Sequence, residues 1–113
     1  MRHALNIWLL LSSMAAPTLL TAAAPPALAL EAARENALTH LVRQDCGSCH
    51  GMTLKGGLGG PLLPESLRDL DAESVASIIL EGVPGKPMPP WKGQLSEEEA
   101  LWIAEKLKSG FPQ

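Results

Sequence analysis

Cys46-Gly47-Ser48-Cys49-His50 holds both cysteines of the 113-residue chain, and its reading decides the fold. Two thiols spaced by two residues reach the two vinyl-derived positions of one porphyrin as thioethers, and the adjacent His50 is then placed beneath the iron as an axial ligand. Gly47 and Ser48 are small enough to let the backbone lie close to a macrocycle. Three other readings of the pentapeptide stay open. A thioredoxin-like CxxC expects a βαβ context, and no convincing strand run follows it. A zinc site needs a fourth ligand, for which only His40 or carboxylates remain. A structural disulfide would close too small a loop to add much order.

The composition around the motif leaves a centre to be filled. A chain of 113 residues, 46% hydrophobic and 19% charged, suits one small domain and excludes a multidomain enzyme. One Phe, no Tyr and three Trp, against ten Gly and ten Pro, make large core side chains scarce and turns frequent. Domains this small often recruit a disulfide, metal or cofactor as part of the core. The net charge of −3 argues against a general nucleic-acid binder, which needs a basic face.

Upstream, Met1-Arg2-His3 is a short basic region followed by the apolar run Ala4 to Leu11 and an Ala/Leu-rich continuation to Leu30. That is a secretory pattern, and Ala27-Leu28-Ala29 is the preferred small-x-small cleavage site over Ala22-Ala23-Ala24. The expectation is a signal peptide over 1–29 and a mature, acidic domain over 30–113, located in the periplasm. An uncleaved membrane anchor is the alternative, disfavoured by Ser12, Ser13, Pro17, Pro25 and Pro26 within the stretch. No Cys near the cut suggests a lipid anchor, and there is no twin Arg.

Downstream, a second axial ligand is sought. Met52 lies too few residues beyond His50 to pass around a macrocycle edge. Met88 stands in Gly85-Lys86-Pro87-Met88-Pro89-Pro90-Trp91, where three prolines fix φ and remove donors, giving a stiff extended loop suited to a weak iron–sulfur bond. His40 is the rival, on a polar-patterned helix. The stretch Gly51 to Pro64, with five glycines and two prolines, reads as irregular chain wrapped over a haem edge, and a backbone carbonyl there can accept the free ring N–H of His50. Pro61 is the candidate carbonyl.

The remaining pattern is helical. Ala33 to Gln44 places Ala37, Leu38, Leu41 and Val42 on one stripe. Asp71 is the N-cap of a helix through Leu80, with Val75, Ile78 and Ile79 inward and Gly82 closing it, and Pro64 starts a short turn. Ser96 with Glu99 forms a capping box for a last helix whose packing face is Ala100, Ile103, Ala104 and Leu107. With no strand alternation, repeat or heptad, the fold class is all-α, three to four short helices and loops wrapped around one covalent haem.

Taken together, the haem pentapeptide, Gly60-Pro61-Leu62, the Pro-Met-Pro-Pro-Trp run and the capped final helix resemble the small monohaem class I cytochromes c, over about Leu38 to Leu107. The resemblance implies packing of the first helix on the last, thioether links at Cys46 and Cys49, axial ligation by His50 and Met88, a Pro61 carbonyl on His50, and Trp91 near a haem propionate. More narrowly, the runs from Asp45 to Gly57 and from Gly82 to Trp91 look like those of the short periplasmic cytochromes encoded beside cytochrome-cd nitrite reductase in denitrifying bacteria. That likeness implies electron donation to the reductase or help in completing its d-type haem.

The function expected is a one-electron carrier with a single haem c, not itself an enzyme, serving an upstream donor and a respiratory reductase. It is expected to be a monomer, to bind no nucleic acid, and to meet a membrane only if the signal stays uncleaved. Lys55, Lys86 and Lys92 are candidates for a basic docking rim. A haem sensor with an open iron, Met88 being merely structural, and a non-haem module with Cys46 and Cys49 as a disulfide pair are the rival classes.

Overall fold

The computed structural model describes residues 22–23 and 26–111. The expected signal segment lies almost wholly outside them. The chain forms α1 (Pro26–Leu41), a π-helical turn (Val42–Cys46), α2 (Gly47–His50), a 3₁₀ turn (Pro64–Ser66), α3 (Ala72–Glu81) and α4 (Glu97–Ser109). Among the described residues the sole β feature is an isolated antiparallel bridge between Val83 and Met88. The all-α expectation holds.

The first helix extends beyond Ala33–Gln44 in both directions. It begins at Pro26, a residue whose φ and missing donor suit a first turn, and runs through the π turn into the haem motif without a break. Leu38 and Val42 are buried as expected, whereas Ala37 is exposed. A π turn winds fewer degrees per residue than an α-helix. Residues after Val42 therefore leave the stripe that Leu38 and Val42 continue, and the motif faces a different direction from the core-packing side.

α3 and α4 follow their caps. The Ser74 N–H donates to the Asp71 carboxylate at 2.6 Å, and Gly82 closes α3 with its N–H on the Ile78 carbonyl. Ser96 and Glu99 complete the capping box reciprocally, at 3.2 and 2.9 Å. The α4 face of Ala100, Ile103, Ala104 and Leu107 is buried in one cluster with Leu38, Val42, Val75, Ala76 and Ile79. Arg34 of α1 pairs with the capping Glu99, which ties the first helix to the start of the last. The most extensive helix contact is between α3 and α4, a pairing the sequence pattern did not single out.

Gly82 to Trp91 departs from a plain extended loop. The Val83 N–H donates to the Met88 carbonyl at 3.1 Å, folding the segment back on itself. The Trp91 N–H then meets the Ile79 and Leu80 carbonyls, both at 3.1 Å, and the Lys92 N–H meets that of Leu80 at 3.2 Å. Carbonyls in the last turn of a helix have no intrahelical donor. α3 thus anchors the methionine loop through its own unfinished backbone.

Candidate haem site

A cavity of about 670 Å³ opens between the end of the first helix, the glycine-rich segment, α3 and the methionine loop. It falls within the range of about 300–1,000 Å³ usual for small-molecule sites. Cys46, Cys49 and His50 enter from α2 and the turn before it, and Met88 and Trp91 from the loop after α3. All five therefore meet, although they come from segments about forty residues apart in the chain. Apolar surface gathers here. Of the four exposed large hydrophobic side chains among the described residues, Leu58 (90% exposed), Leu70 (39%) and Ile78 (40%) line this cavity, and only Met52 (60%) lies elsewhere.

Val75, Ile78 and Ile79 all line the cavity, but Ile78 stays exposed there while Val75 and Ile79 are also buried in the core, because α3 presents one face to α4 and an adjacent one to the site.

His50 is held from both sides of its ring system. Its Nδ1–H donates to the Gly60 carbonyl at 2.7 Å, which keeps Nε2 as the ring nitrogen free to serve as a ligand atom. A Cβ at Gly59 would stand 2.6 Å from His50 Cε1 and 2.7 Å from Nδ1, so a glycine is needed for the chain to lie flat on the imidazole. The acceptor is therefore Gly60 and not Pro61, which lies outside the cavity lining. The close approach at Gly59 brings the next carbonyl to the ring one residue early.

Cys46 and Cys49 are both half-buried. Burial, reinforced by the Asp45 carboxylate, pushes the Cys46 thiol up to about 11. The Ser48 hydroxyl donates to the Asp45 carbonyl at 2.7 Å, so this residue is more than small, since it braces the turn that carries both sulfurs.

Neither rival ligand enters the cavity lining. Met52 sits against Gly47, with its sulfur 3.5 Å from where a Gly47 Cβ would lie, and His40 is exposed on α1. No cluster of three or more His, Cys, Asp or Glu side chains able to hold a metal ion occurs among the described residues. The basic rim is thinner than expected. Lys86 lies at the cavity, Lys92 is paired with Glu81 at 3.0 Å, and Lys55 is exposed away from the lining.

In the sequence pattern Gly82 reads only as a helix stop. Its φ of 68° suits glycine, and a Cβ there would lie 2.6 Å from the Met88 carbonyl oxygen and 2.8 Å from Pro89 and Pro90 backbone atoms. The methionine loop thus packs directly on the glycine that ends α3. No local pattern in the sequence signals this, because the clash is with residues brought back by the fold.

Two thiols and an imidazole converging on an apolar cleft fit haem bound through thioethers, and fold and cleft together define a c-type cytochrome. Residues 33–105 match the family model described as cytochrome C oxidase, cbb3-type, subunit III. Cytochrome c55X of Pseudomonas aeruginosa is 52% identical over 95 residues, 80% of either chain. A solved structure of the c-type cytochrome NirC is 50% identical, with a TM-score of 0.69, covering 71% of this chain and 94% of that one. A structure of dihydro-heme d1 dehydrogenase NirN in complex with DHE is 38% identical with a TM-score of 0.60, covering 66% of this chain and 16% of that one. The chain belongs to this family of c-type cytochromes, as a small member related to NirC, and its cofactor is covalent haem c.

Proposed function

We propose that the protein is a periplasmic one-electron carrier, with His50 and Met88 as axial ligands, that donates electrons to a respiratory reductase of denitrification such as nitrite reductase. The observation that carries the reading is the entry of His50 and Met88 into one cavity from separate segments, each braced by backbone. Bound haem supplies reversible one-electron exchange between ferric and ferrous iron. Cys46 and Cys49 hold it covalently. Gly60 orients the imidazole and strengthens it as a donor. Met88 contributes a soft thioether that favours the ferrous state and raises the reduction potential. With both axial positions supplied by the chain, substrate binding at iron is blocked, in keeping with a carrier rather than a catalyst. Trp91 lies on the cavity lining and is tethered by its N–H to α3, which supports reading it as the neighbour of a haem propionate. The export pattern of residues 1–29 supports the periplasm, and no helix among the described residues is long and apolar enough to cross a membrane.

A second reading, assistance in d-type haem maturation, draws on the likeness to one segment of NirN. Stopped-flow mixing of the reduced protein with purified nitrite reductase tests the first. Fast, saturable reoxidation is expected. Reoxidation no faster than spontaneous, together with rapid exchange with a dihydro-heme d1 dehydrogenase, would transfer the assignment to the second.

A further inference from the structure

We propose that Lys108 is a positioning residue of the haem pocket, acting through two cavity leucines whose backbone it clasps. A lysine in the last turn of a helix is ordinarily a solvated charge that complements the helix dipole. Lys108 is instead only partly exposed. Its ammonium donates to the carbonyl of Leu67, at 2.8 Å, and to that of Leu70. Both leucines line the cavity.

Leu67 is also anchored by its side chain, which is buried in the core cluster, but the backbone of the segment is held only loosely. The Leu67 N–H reaches the Leu63 and Pro64 carbonyls, and the Leu70 N–H that of Leu67, all at 3.2 Å, the long end of the usual range. Bonds from an ammonium are roughly twice as strong as neutral ones. The clasp is thus the charge-assisted part of the hydrogen bonding that holds the backbone between the 3₁₀ turn and Asp71. The same charge reaches the start of α3, where the Asp71 carboxyl is held below its ordinary value chiefly by Ser74 and, more weakly, by Lys108. α3 supplies Val75, Ile78 and Ile79 to the same cavity. α3 itself packs on α4, so what the side chain of Lys108 adds is a hold on the Leu67–Leu70 part of the wall.

Removing the ammonium leaves two carbonyls without this donor and lets Leu67 and Leu70 move, admitting water beside the cofactor. Water favours the more highly charged ferric state, and loss of a cation acts in the same direction, so the reduction potential falls. The inference rests on haem in this cavity and deepens the electron-carrier reading without depending on which partner is served.

The test compares holoprotein carrying Lys108→Met, which keeps an apolar stem, with Lys108→Arg. Lys108→Met is expected to retain covalent haem and the sulfur-to-iron charge-transfer band. It is also expected to show a lowered potential and several-fold faster hydrogen–deuterium exchange at the amides of residues 67–70. Lys108→Arg, able to donate to both carbonyls, should restore potential and exchange. Unchanged exchange in Lys108→Met would mean that the clasp does not operate in solution, and faster exchange at unchanged potential would reduce it to a stability device. Either result overturns the proposal, as does failure of Lys108→Arg to restore both. If Lys108→Met does not assemble, Leu70→Ala with Lys108 intact replaces it and should lower the potential, and an unchanged value there overturns the idea. A missing charge-transfer band in the unsubstituted protein would refute Met88 ligation instead, so the two readings fail separately.

Discussion

The two sides of the haem cleft are built on opposite principles. On one side, Cys46, Cys49 and His50 lie within a single helical stretch, and five consecutive residues carry both the attachment chemistry and one ligand. On the other, Met88 depends on contacts made elsewhere: the carbonyls of Ile79 and Leu80, the bridge to Val83 and the bare Cα of Gly82. The first side survives as a local motif. The second exists only when α3 is in place, so damage to it should be graded where damage to the first is all or none.

The sharpest way to break this contrast is Cys46→Ser or Cys49→Ser. Each should forfeit stable covalent haem and leave the domain largely unfolded, because the cofactor fills much of the centre; circular dichroism and denaturing mass spectrometry check this, and a well-folded haem-free variant would contradict it. Next in size, Met88→Ala should keep the thioethers but lose the sulfur-to-iron band and lower the potential by removing a ligand that favours ferrous iron. An unaltered spectrum would place the ligand elsewhere. Gly82→Ala should act on Met88 through its backbone, leaving its side chain unchanged. A residue forced into a left-handed conformation costs on the order of 1–3 kcal/mol, and the Met88 carbonyl would have to retreat, so thermal stability and the intensity of the band should fall together.

Smaller effects sharpen the comparison on the outer surface. Lys86→Glu should slow electron transfer to an acidic partner at low salt and do so more than Lys92→Glu, since Lys92 is already paired with Glu81. Rates in both variants equal to that of the unsubstituted protein would remove charge from the docking account. Last comes a gradual acid sensitivity. The Arg34 guanidinium holds the Glu99 carboxyl below its usual range, and Ser74 does the same for Asp71. Groups lowered in the folded state contribute stability above the ordinary carboxylate pKa of about 4 and lose it as pH falls through the depressed values. Denaturant midpoints should therefore fall on acidification, and less steeply in a Glu99→Gln, Asp71→Asn variant.

Where the controlling interaction is between near neighbours, reading the chain worked. The capping box of Ser96 and Glu99, the Asp71 cap, the proline-started turn at Pro64 and the CxxCH motif all depend on residues within a turn or so of one another. Four expectations shifted because a distant segment intervened. Ala37 is exposed because the helix is longer and turns a different face to the core. Ile78 faces the cavity because α3 serves two neighbours. Gly60 replaces Pro61 because Gly59 lies flat on the imidazole. Lys92 leaves the basic rim because Glu81 lies across from it.

From the order of amino acids alone came the covalent haem, the histidine beside it, the helical class and the loop that bears Met88, since each is written in short-range spacing or in backbone restrictions of proline and glycine. Only the folded chain decided which carbonyl meets His50, which glycine must yield space to the methionine loop, and that a lysine of the last helix holds the leucines of the pocket. Those outcomes depend on close approach between segments far apart in the chain, and steric exclusion at two or three ångströms has no signature in a linear pattern.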